Sequence, residues 1–349
     1  MTGAAGDSAL VIQTSFLGDM VLTTPLLAGL ARRGPVDVVA TPANAGLLAN
    51  NPAVREIFVY EKRHADRGLS GLLRLARRLR RRAYPVAYLA QGSIRSATLA
   101  LLAGIPRRVG FDSSAGRWLY TERIPYREDR HHAARLWQLA APANAEPTEE
   151  ELRPRLVPGD AEETAVGAIL DAQSPDDRRP LVVLAPGSVW ATKRWPYYPA
   201  LASALASRAR IAIIGGADDR GLAAEITAGV AGAADAHVAD ATGRLSLLAS
   251  AALIRRAAVL VTNDSAPLHL ASAVGTPTVA IFGPTVPEFG FGPLAPHSIS
   301  LGHRTLTCRP CDRHGPARCP LGHWRCMREL DETIVAGAVE SLLGMERGS

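Results

Sequence analysis

Apolar and polar positions along this chain follow two alternating periods. Mostly apolar stretches at Ser8 to Gln13, Val36 to Ala40, Ile57 to Tyr60 and Val86 to Ala90 read as strands. Stretches with helical spacing lie between and after them: Asp19 to Arg33, Ala43 to Asn50, Leu69 to Ala83, Ser93 to Ala103 and His131 to Ala140. The pattern restarts with a strand at Leu181 to Ala185, a helix at Tyr197 to Arg208, and strands at Ile211 to Gly216 and His237 to Gly243. A helix at Leu245 to Ala257, an apolar run Ala257 to Val261, a small-residue helix Ala266 to Val274 and a strand Pro277 to Phe282 follow, and Asp331 to Leu343 reads as a terminal helix. Strands that are apolar throughout, each followed by a helix, predict an α/β fold of parallel sheets covered on both faces.

A length of 349 residues accommodates two such sheets, since domains run to roughly 100–200 residues. Pro142 to Glu151 is rich in Pro, Ala and Glu, Leu152 to Leu156 reads as the last strand of the first domain, and Asp171 to Pro180 has the composition of a linker. The expected division is a Rossmann-like domain over residues 1–170, a second over 181–330, and a C-terminal helix over 331–349 that packs back on the first domain.

Composition narrows the function. Hydrophobic residues make up 47% and charged residues 21%, as in ordinary folded proteins. No run approaches the roughly 20 apolar residues of a membrane span, and the N-terminus lacks a basic segment with an apolar core and cleavage site. A cytoplasmic protein is expected, able to sit peripherally on the inner face of the membrane. The net charge of +6 is uneven: residues 1–150 hold 20 basic against 13 acidic side chains, the remainder 19 against 20. An anionic partner is therefore expected at the first half. With 5% aromatics and no helix-turn-helix, RNA-binding or zinc-finger pattern, nucleic acid is not that partner.

Candidate chemistry gathers where strands run into helices. Val261 leads into Thr262-Asn263-Asp264-Ser265 and then a helix, so free backbone N–H groups and a partial positive charge face the strand end. Asp264 can accept hydrogen bonds from hydroxyls and His269 lies one turn inside; the bland alternative is a cap and a satisfied surface histidine. Thr14 to Asp19 makes a tight turn in which Asp19 is either a helix cap or a base aimed at a cleft. After Leu181 to Ala185, the loop carries Ser188, Thr192, Lys193 and Arg194, a hydroxyl and cation set suited to a diphosphate. Lys193 is one of only two lysines against 37 arginines, which points to a need for a compact ammonium. Neither loop is a Walker sequence or a Gly-x-Gly-x-x-Gly turn, so triphosphatase and nicotinamide-dehydrogenase chemistry are disfavoured. Asp218 or Asp219, after the next strand, is a candidate for ribose hydroxyls or an ordinary cap.

Two further features keep two readings each. On the helix Leu69 to Ala83, Arg74, Arg77, Arg78 and Arg81 occupy the face opposite Leu72, Leu75, Ala76 and Leu79, as a solvated surface or as a contact for anionic lipid or a phosphorylated acceptor. Cys308, Cys311, Cys319 and Cys326 fall within 19 residues, with His303, His314 and His323 close by, and could hold structural zinc, although the later spacings do not form a matching second pair.

In order and spacing, Thr14-Ser-Phe-Leu-Gly-Asp-Met-Val-Leu-Thr-Thr-Pro-Leu-Leu27, Ala185-Pro-Gly-Ser188 with Lys193-Arg-Trp-Pro196, Thr262-Asn-Asp-Ser-Ala-Pro-Leu-His269, Phe282-Gly-Pro-Thr285 and Cys319-Pro-Leu-Gly-His323 resemble the ADP-heptose:lipopolysaccharide heptosyltransferases, glycosyltransferase family 9, most closely the heptosyltransferase II branch. The resemblance implies a GT-B architecture, two Rossmann-like domains facing a central cleft, and inverting transfer of heptose from ADP-heptose to an anionic inner-core acceptor, heptosyl-Kdo2-lipid A. It implies no cofactor and no metal. Asp19 matches the general base, Lys193 the lysine at the donor phosphates and Asp264 the aspartate at the donor heptose, with Ser265, Ala266 and His269 in the same loop. Ser188 and Ser265 are expected at helix N-termini that offset the charge of departing ADP. Related transferases often read Gly-Pro-Thr-Asp-Pro where this chain has Gly283-Pro-Thr-Val-Pro287, which leaves Val286 without a role. Two rivals stand beside this expectation: a member with another acceptor, such as a heptosyltransferase I, III or protein-directed enzyme, and a nucleotide-sugar-binding protein without transferase activity.

Overall fold

The computed structural model describes residues 8–62, 64–172, 177–231 and 237–346. The chain divides into two compact units, Met1–Leu156 and Val157–Ser349.

In the first unit the elements run β1 (Ala9–Gln13), α1 (Leu17–Ala31), β2 (Val36–Ala40), α2 (Pro42–Leu47), β3 (Glu56–Val59), α3 (Gly68–Arg80), β4 (Val86–Leu89), α4 (Ile94–Leu102), β5 (Arg107–Phe111), β6 (Glu122–Ile124), α5 (His132–Gln138) and α6 (Glu149–Leu152). All strand pairs are parallel, in the order β3-β2-β1-β4-β5-β6, with Ile12 beside Val39 on one side and Leu89 on the other. Every residue of β1 is buried because helices cover both faces, which is why the run is apolar without alternation. The helix α3 buries Leu72, Leu75, Ala76 and Leu79 against the sheet and turns its arginines outward, as its spacing predicts. Burial of each leucine contributes roughly 2 kcal/mol.

The second unit repeats the plan with α7 (Asp160–Asp171), β7 (Leu181–Ala185), α8 (Tyr198–Leu205), β8 (Arg210–Ile213), α9 (Arg220–Gly229), β9 (Val238–Asp240), α10 (Leu247–Arg255), β10 (Val259–Asn263), α11 (Ala266–Val274), β11 (Thr278–Phe282), β12 (Ile299–Gly302), α12 (Arg325–Arg328) and α13 (Glu332–Glu346). Its parallel order, β12-β11-β10-β7-β8-β9, is the same as that of the first unit when counted from its own first strand. Each sheet therefore reverses direction between its first and fourth strands, and open α/β sheets bind ligands at the carboxyl ends of the strands flanking that reversal. The helix α11 stops at Gly275, whose φ of 79° is the left-handed conformation that glycine adopts without strain.

Three expectations are corrected. Leu152 to Leu156 is not a strand: Thr148 and Glu151 form a reciprocal capping box that starts the short helix α6, and Arg153 to Leu156 is extended without joining a sheet. The first unit ends at Leu156 rather than near residue 170, because α7 packs on α10 and Glu163 pairs with Arg255 at 2.6 Å and with Arg256. The terminal helix α13 packs on α8 and beside β10 and β11, with Val335, Val339 and Leu342 in the core of the second unit. Residues 173–176 of the expected linker and 347–349 of the terminal segment lie outside the described residues.

Candidate active site

At the reversal of the second sheet, the carboxyl ends of β7 and β10 are tied together by one buried side chain. Asn263 closes β10; its Oδ1 accepts from the Trp195 backbone N–H at 3.1 Å and its Nδ2 donates to the Pro186 carbonyl at 2.8 Å. This holds the loop after β7 over the end of β10. Lys193 then reaches Asp264, with Nζ 2.6 Å from Oδ2 and 3.3 Å from the backbone carbonyl. The two side chains are only 10% and 12% exposed, so the ion pair is largely withdrawn from water. Thr285, at the end of β11, donates its hydroxyl to the same Oδ2 at 2.6 Å.

The remaining predicted donor residues are close by but differently engaged. The Thr192 hydroxyl donates to the Pro316 carbonyl at 2.5 Å, so its single hydrogen is committed. Arg194 Nε donates to the Ser188 carbonyl at 2.9 Å and folds the loop on itself. Ser188 does not stand at a helix N-terminus: only a single 3-10 turn, Ala191–Lys193, follows it, and α8 begins at Tyr198. Ser265 does cap α11, and its side chain makes no capping hydrogen bond; in the first turn Pro267 has no N–H and the Leu268 N–H donates to the Ser265 carbonyl at 3.1 Å, which leaves the Ala266 N–H without a side-chain cap. His269 is buried, its ring centroid 6.2 Å from that of Phe291. Asp219 turns back on its own loop and accepts from the Gly216 N–H at 2.9 Å. A Cβ on Gly187 would come within 2.5 Å of that carboxylate, so glycine is required for the close approach. Asp218 is exposed.

The Cys-rich stretch braces this crevice. The Arg309 guanidinium donates to the carbonyls of Gly283 at 2.7 Å, Phe282 at 2.9 Å and Thr285 at 2.9 Å, and also to His303. The Cys311 N–H donates to the Pro284 carbonyl at 2.8 Å, and Trp324 Nε1 to the Thr192 carbonyl at 2.8 Å. All four cysteines are thiols, and among the described residues no three His, Cys, Asp or Glu side chains stand in metal-holding geometry. Burial pushes the Cys326 thiol up to about 11. Against a similar push, backbone N–H groups of Trp324, Leu321, Gly322 and His323 hold Cys319 below the usual thiol range.

In the first unit the reversal lies between β1 and β4. Asp19 is the third residue of α1, and the cap position belongs to Phe16. The Ser15 hydroxyl lies 2.6 Å from Asp19 Oδ2, and His132 Nε2, from the first turn of α5, 3.7 Å from Oδ1. The turn carrying them is fixed from several sides: Lys62 Nζ donates to the Thr14 carbonyl at 2.7 Å, Gln91 Nε2 to the Thr14 hydroxyl at 2.6 Å and Asn44 Nδ2 to the Ser15 carbonyl at 3.1 Å. Beside it opens a crevice of about 470 Å³ lined by Ser15, Phe16, Thr41, Tyr60, Lys62 and His64 among others. On α3, Arg74 pairs with Asp66 at 2.8 Å and Arg78 stacks 5.2 Å over the Phe58 ring, while Arg77 and Arg81 are exposed.

Sequence reasoning passed over Ser15, His132, Lys62, Asn263 and Thr285. Lys62 had a signal: it is the other of the two lysines that made Lys193 notable. Thr285 stood in a quoted motif, but nothing in the order of residues shows that it reaches Asp264, 21 positions away.

Comparison with known proteins gives the family and the fold. The profile of glycosyltransferase family 9 (heptosyltransferase) matches residues 72–321. The chain belongs to this family. It is 31% identical over 320 residues to lipopolysaccharide heptosyltransferase 1 of Pseudomonas aeruginosa, covering 86% of this chain and 85% of that one. Identity to lipopolysaccharide heptosyltransferase 2 of Salmonella typhimurium is 29% over 294 residues, covering 80% and 84%. The solved structure of the E. coli ADP-heptose lipopolysaccharide heptosyltransferase II matches with a TM-score of 0.79 at 26% identity, covering 97% of this chain and 99% of that one. With a six-stranded parallel Rossmann-type sheet in each unit, this family 9 glycosyltransferase is of the GT-B class.

Proposed function

We propose that this family 9 enzyme transfers heptose from ADP-heptose to the inner core of lipopolysaccharide, heptosyl-Kdo2-lipid A, with inversion and without a metal. The observation that carries the reading is the Lys193–Asp264 pair beside the N-terminus of α11. A diphosphate entering there offers Lys193 a doubly charged partner and meets the positive end of α11, where the cap side chain leaves the Ala266 N–H without a partner of its own. Asp264, released from its cation, becomes an acceptor for sugar hydroxyls.

The chemistry asks for two things. The acceptor hydroxyl must lose its proton as it attacks the anomeric carbon, and Asp19 is the base assigned to that step; the Ser15 hydroxyl orients its carboxylate. The bond to the diphosphate breaks with charge building on ADP, which Lys193 and the α11 N-terminus offset in place of a metal ion. Attack opposite the leaving group inverts the anomeric centre. Glu61, Lys62, His64 and Gln91 give the first unit's crevice a polar lining of mixed charge suited to sugar hydroxyls. Arg77 and Arg81 on α3 offer exposed positive charge to a surface of anionic lipid; no helix among the described residues is long and apolar enough to cross a membrane.

A second reading, a member with another acceptor, is favoured by one observation: identity to a type 1 enzyme, 31%, is as high as to a type 2 enzyme, 29%. ADP-heptose supplied with lipid A acceptors carrying zero, one or two heptoses decides between them. Product only from the one-heptose acceptor supports the first reading; product from the Kdo2-lipid A acceptor alone would replace it. Failure to release ADP with any acceptor would favour a binding protein.

A further inference from the structure

We infer that Thr285 is a positioning residue for donor-sugar recognition: it holds Asp264 in place once Lys193 turns to the diphosphate. The inference rests on the roles proposed above for Lys193 and Asp264. Oδ2 of Asp264 has two partners, Lys193 Nζ and the Thr285 hydroxyl, each at 2.6 Å, and Oδ1 accepts no hydrogen bond from the described residues. When a diphosphate draws the ammonium away, Asp264 loses its cation and would be free to rotate about its side-chain bonds. The Thr285 hydroxyl is buried and its one hydrogen is committed to Oδ2, so it keeps that oxygen fixed and leaves Oδ1 as the acceptor for a sugar hydroxyl.

The backbone beneath Thr285 is built for such a task. The carbonyls of four consecutive residues, Phe282, Gly283, Pro284 and Thr285, are each held, three by Arg309 and one by the Cys311 N–H. The side chain is 1% exposed and β-branched, so its rotamer has little freedom. A threonine needed only for packing would not have to give its proton to a carboxylate 21 positions away.

The test uses the full-length enzyme and measures binding of ADP and of ADP-heptose separately, with steady-state turnover alongside. Thr285→Val is expected to weaken ADP-heptose ~10-fold and raise KM for it by a similar factor, while ADP binding stays within about twofold of wild type. Thr285→Ser, which restores the hydroxyl, should recover most of the loss, and Thr285→Ala serves if the valine variant does not fold. The inference is overturned if a folded hydroxyl-free variant binds ADP-heptose as tightly as wild type, if ADP weakens equally, or if serine gives no rescue. Asp264→Asn separates this failure from that of the parent reading. Should it leave the preference for ADP-heptose over ADP unchanged, the sugar-binding role of Asp264 falls, and with it the reason for Thr285.

Discussion

Lys193 and Asp264 neutralise each other across 2.6 Å in a crevice that leaves each about one-tenth exposed. Removing the cation strands a carboxylate that water cannot fully reach. Lys193→Ala is expected to lower kcat/KM by roughly 10²–10³, from loss of charge stabilisation at the departing diphosphate, and to destabilise the fold by about 1–3 kcal/mol. Lysine-to-arginine exchange should not rescue turnover: a longer, planar guanidinium does not reproduce the compact ammonium held against the Asp264 carboxylate and its backbone carbonyl in a crevice that leaves the pair about one-tenth exposed. ADP-release kinetics and calorimetric unfolding check the two parts independently.

Asp19→Asn is expected to leave ADP-heptose binding intact, because the residue belongs to the first unit and the donor crevice to the second. Turnover should fall roughly 10²–10⁴-fold, the usual contribution of a positioned base. Titration calorimetry with ADP, paired with single-turnover rates, separates binding from chemistry. Near-normal turnover would remove Asp19 from the mechanism.

The thiols should differ in reactivity despite their proximity in sequence. Cys319 is held low by four backbone N–H groups, and Cys326 is pushed up to about 11 by burial. Thiolate, not thiol, reacts with alkylating agents. At pH 8, iodoacetamide followed by peptide mass mapping should label Cys319 before Cys326, and raising the pH toward 11 should narrow the difference. The sign for stability follows: a thiol with a raised folded pKa stays protonated while the unfolded one ionises, so its stabilising contribution is complete below about pH 9 and declines as pH rises through 11.

Changing Arg77, Arg78 and Arg81 together to Gln is expected to reduce binding to anionic vesicles roughly 10²-fold, at roughly 1 kcal/mol per charge near a surface, while binding of soluble ADP stays unchanged. Vesicle co-sedimentation at low and high salt provides the measurement. Equal binding by the triple variant would return α3 to an ordinary solvated helix.

The sheets were legible because strands buried on both faces are largely apolar: β1, β7, β10 and β11 have no exposed position and stand out as apolar runs, and β2 is equally buried although it carries Asp37, which Arg55 and Tyr84 hold. Of the four edge strands, β3 and β9 were read and β6 and β12 were not. β6 and β12 have no fully buried residue, so nothing in Glu122–Ile124 or Ile299–Gly302 separates strand from loop. Helix α6 escaped because the capping box Thr148–Glu151 lies in a stretch whose Pro and Glu content suggested a linker. At the candidate site, Asp19, Lys193 and Asp264 could be found because each sits at a strand-to-helix turn. Their partners could not: Ser15 reads as part of a turn, and His132 meets Asp19 only because α5 packs on α1, a contact across more than a hundred residues.

The near-exclusive use of arginine elsewhere has a practical result. The two lysines lie one in each unit, Lys62 against the turn that carries Asp19 and Lys193 beside Asp264. Apart from the chain's α-amino group, amine-selective acylation can therefore modify only positions in the two crevices. ADP-heptose should shield the second amine, an acceptor sugar the first, and a mass spectrum would report the occupancy of each without an engineered label.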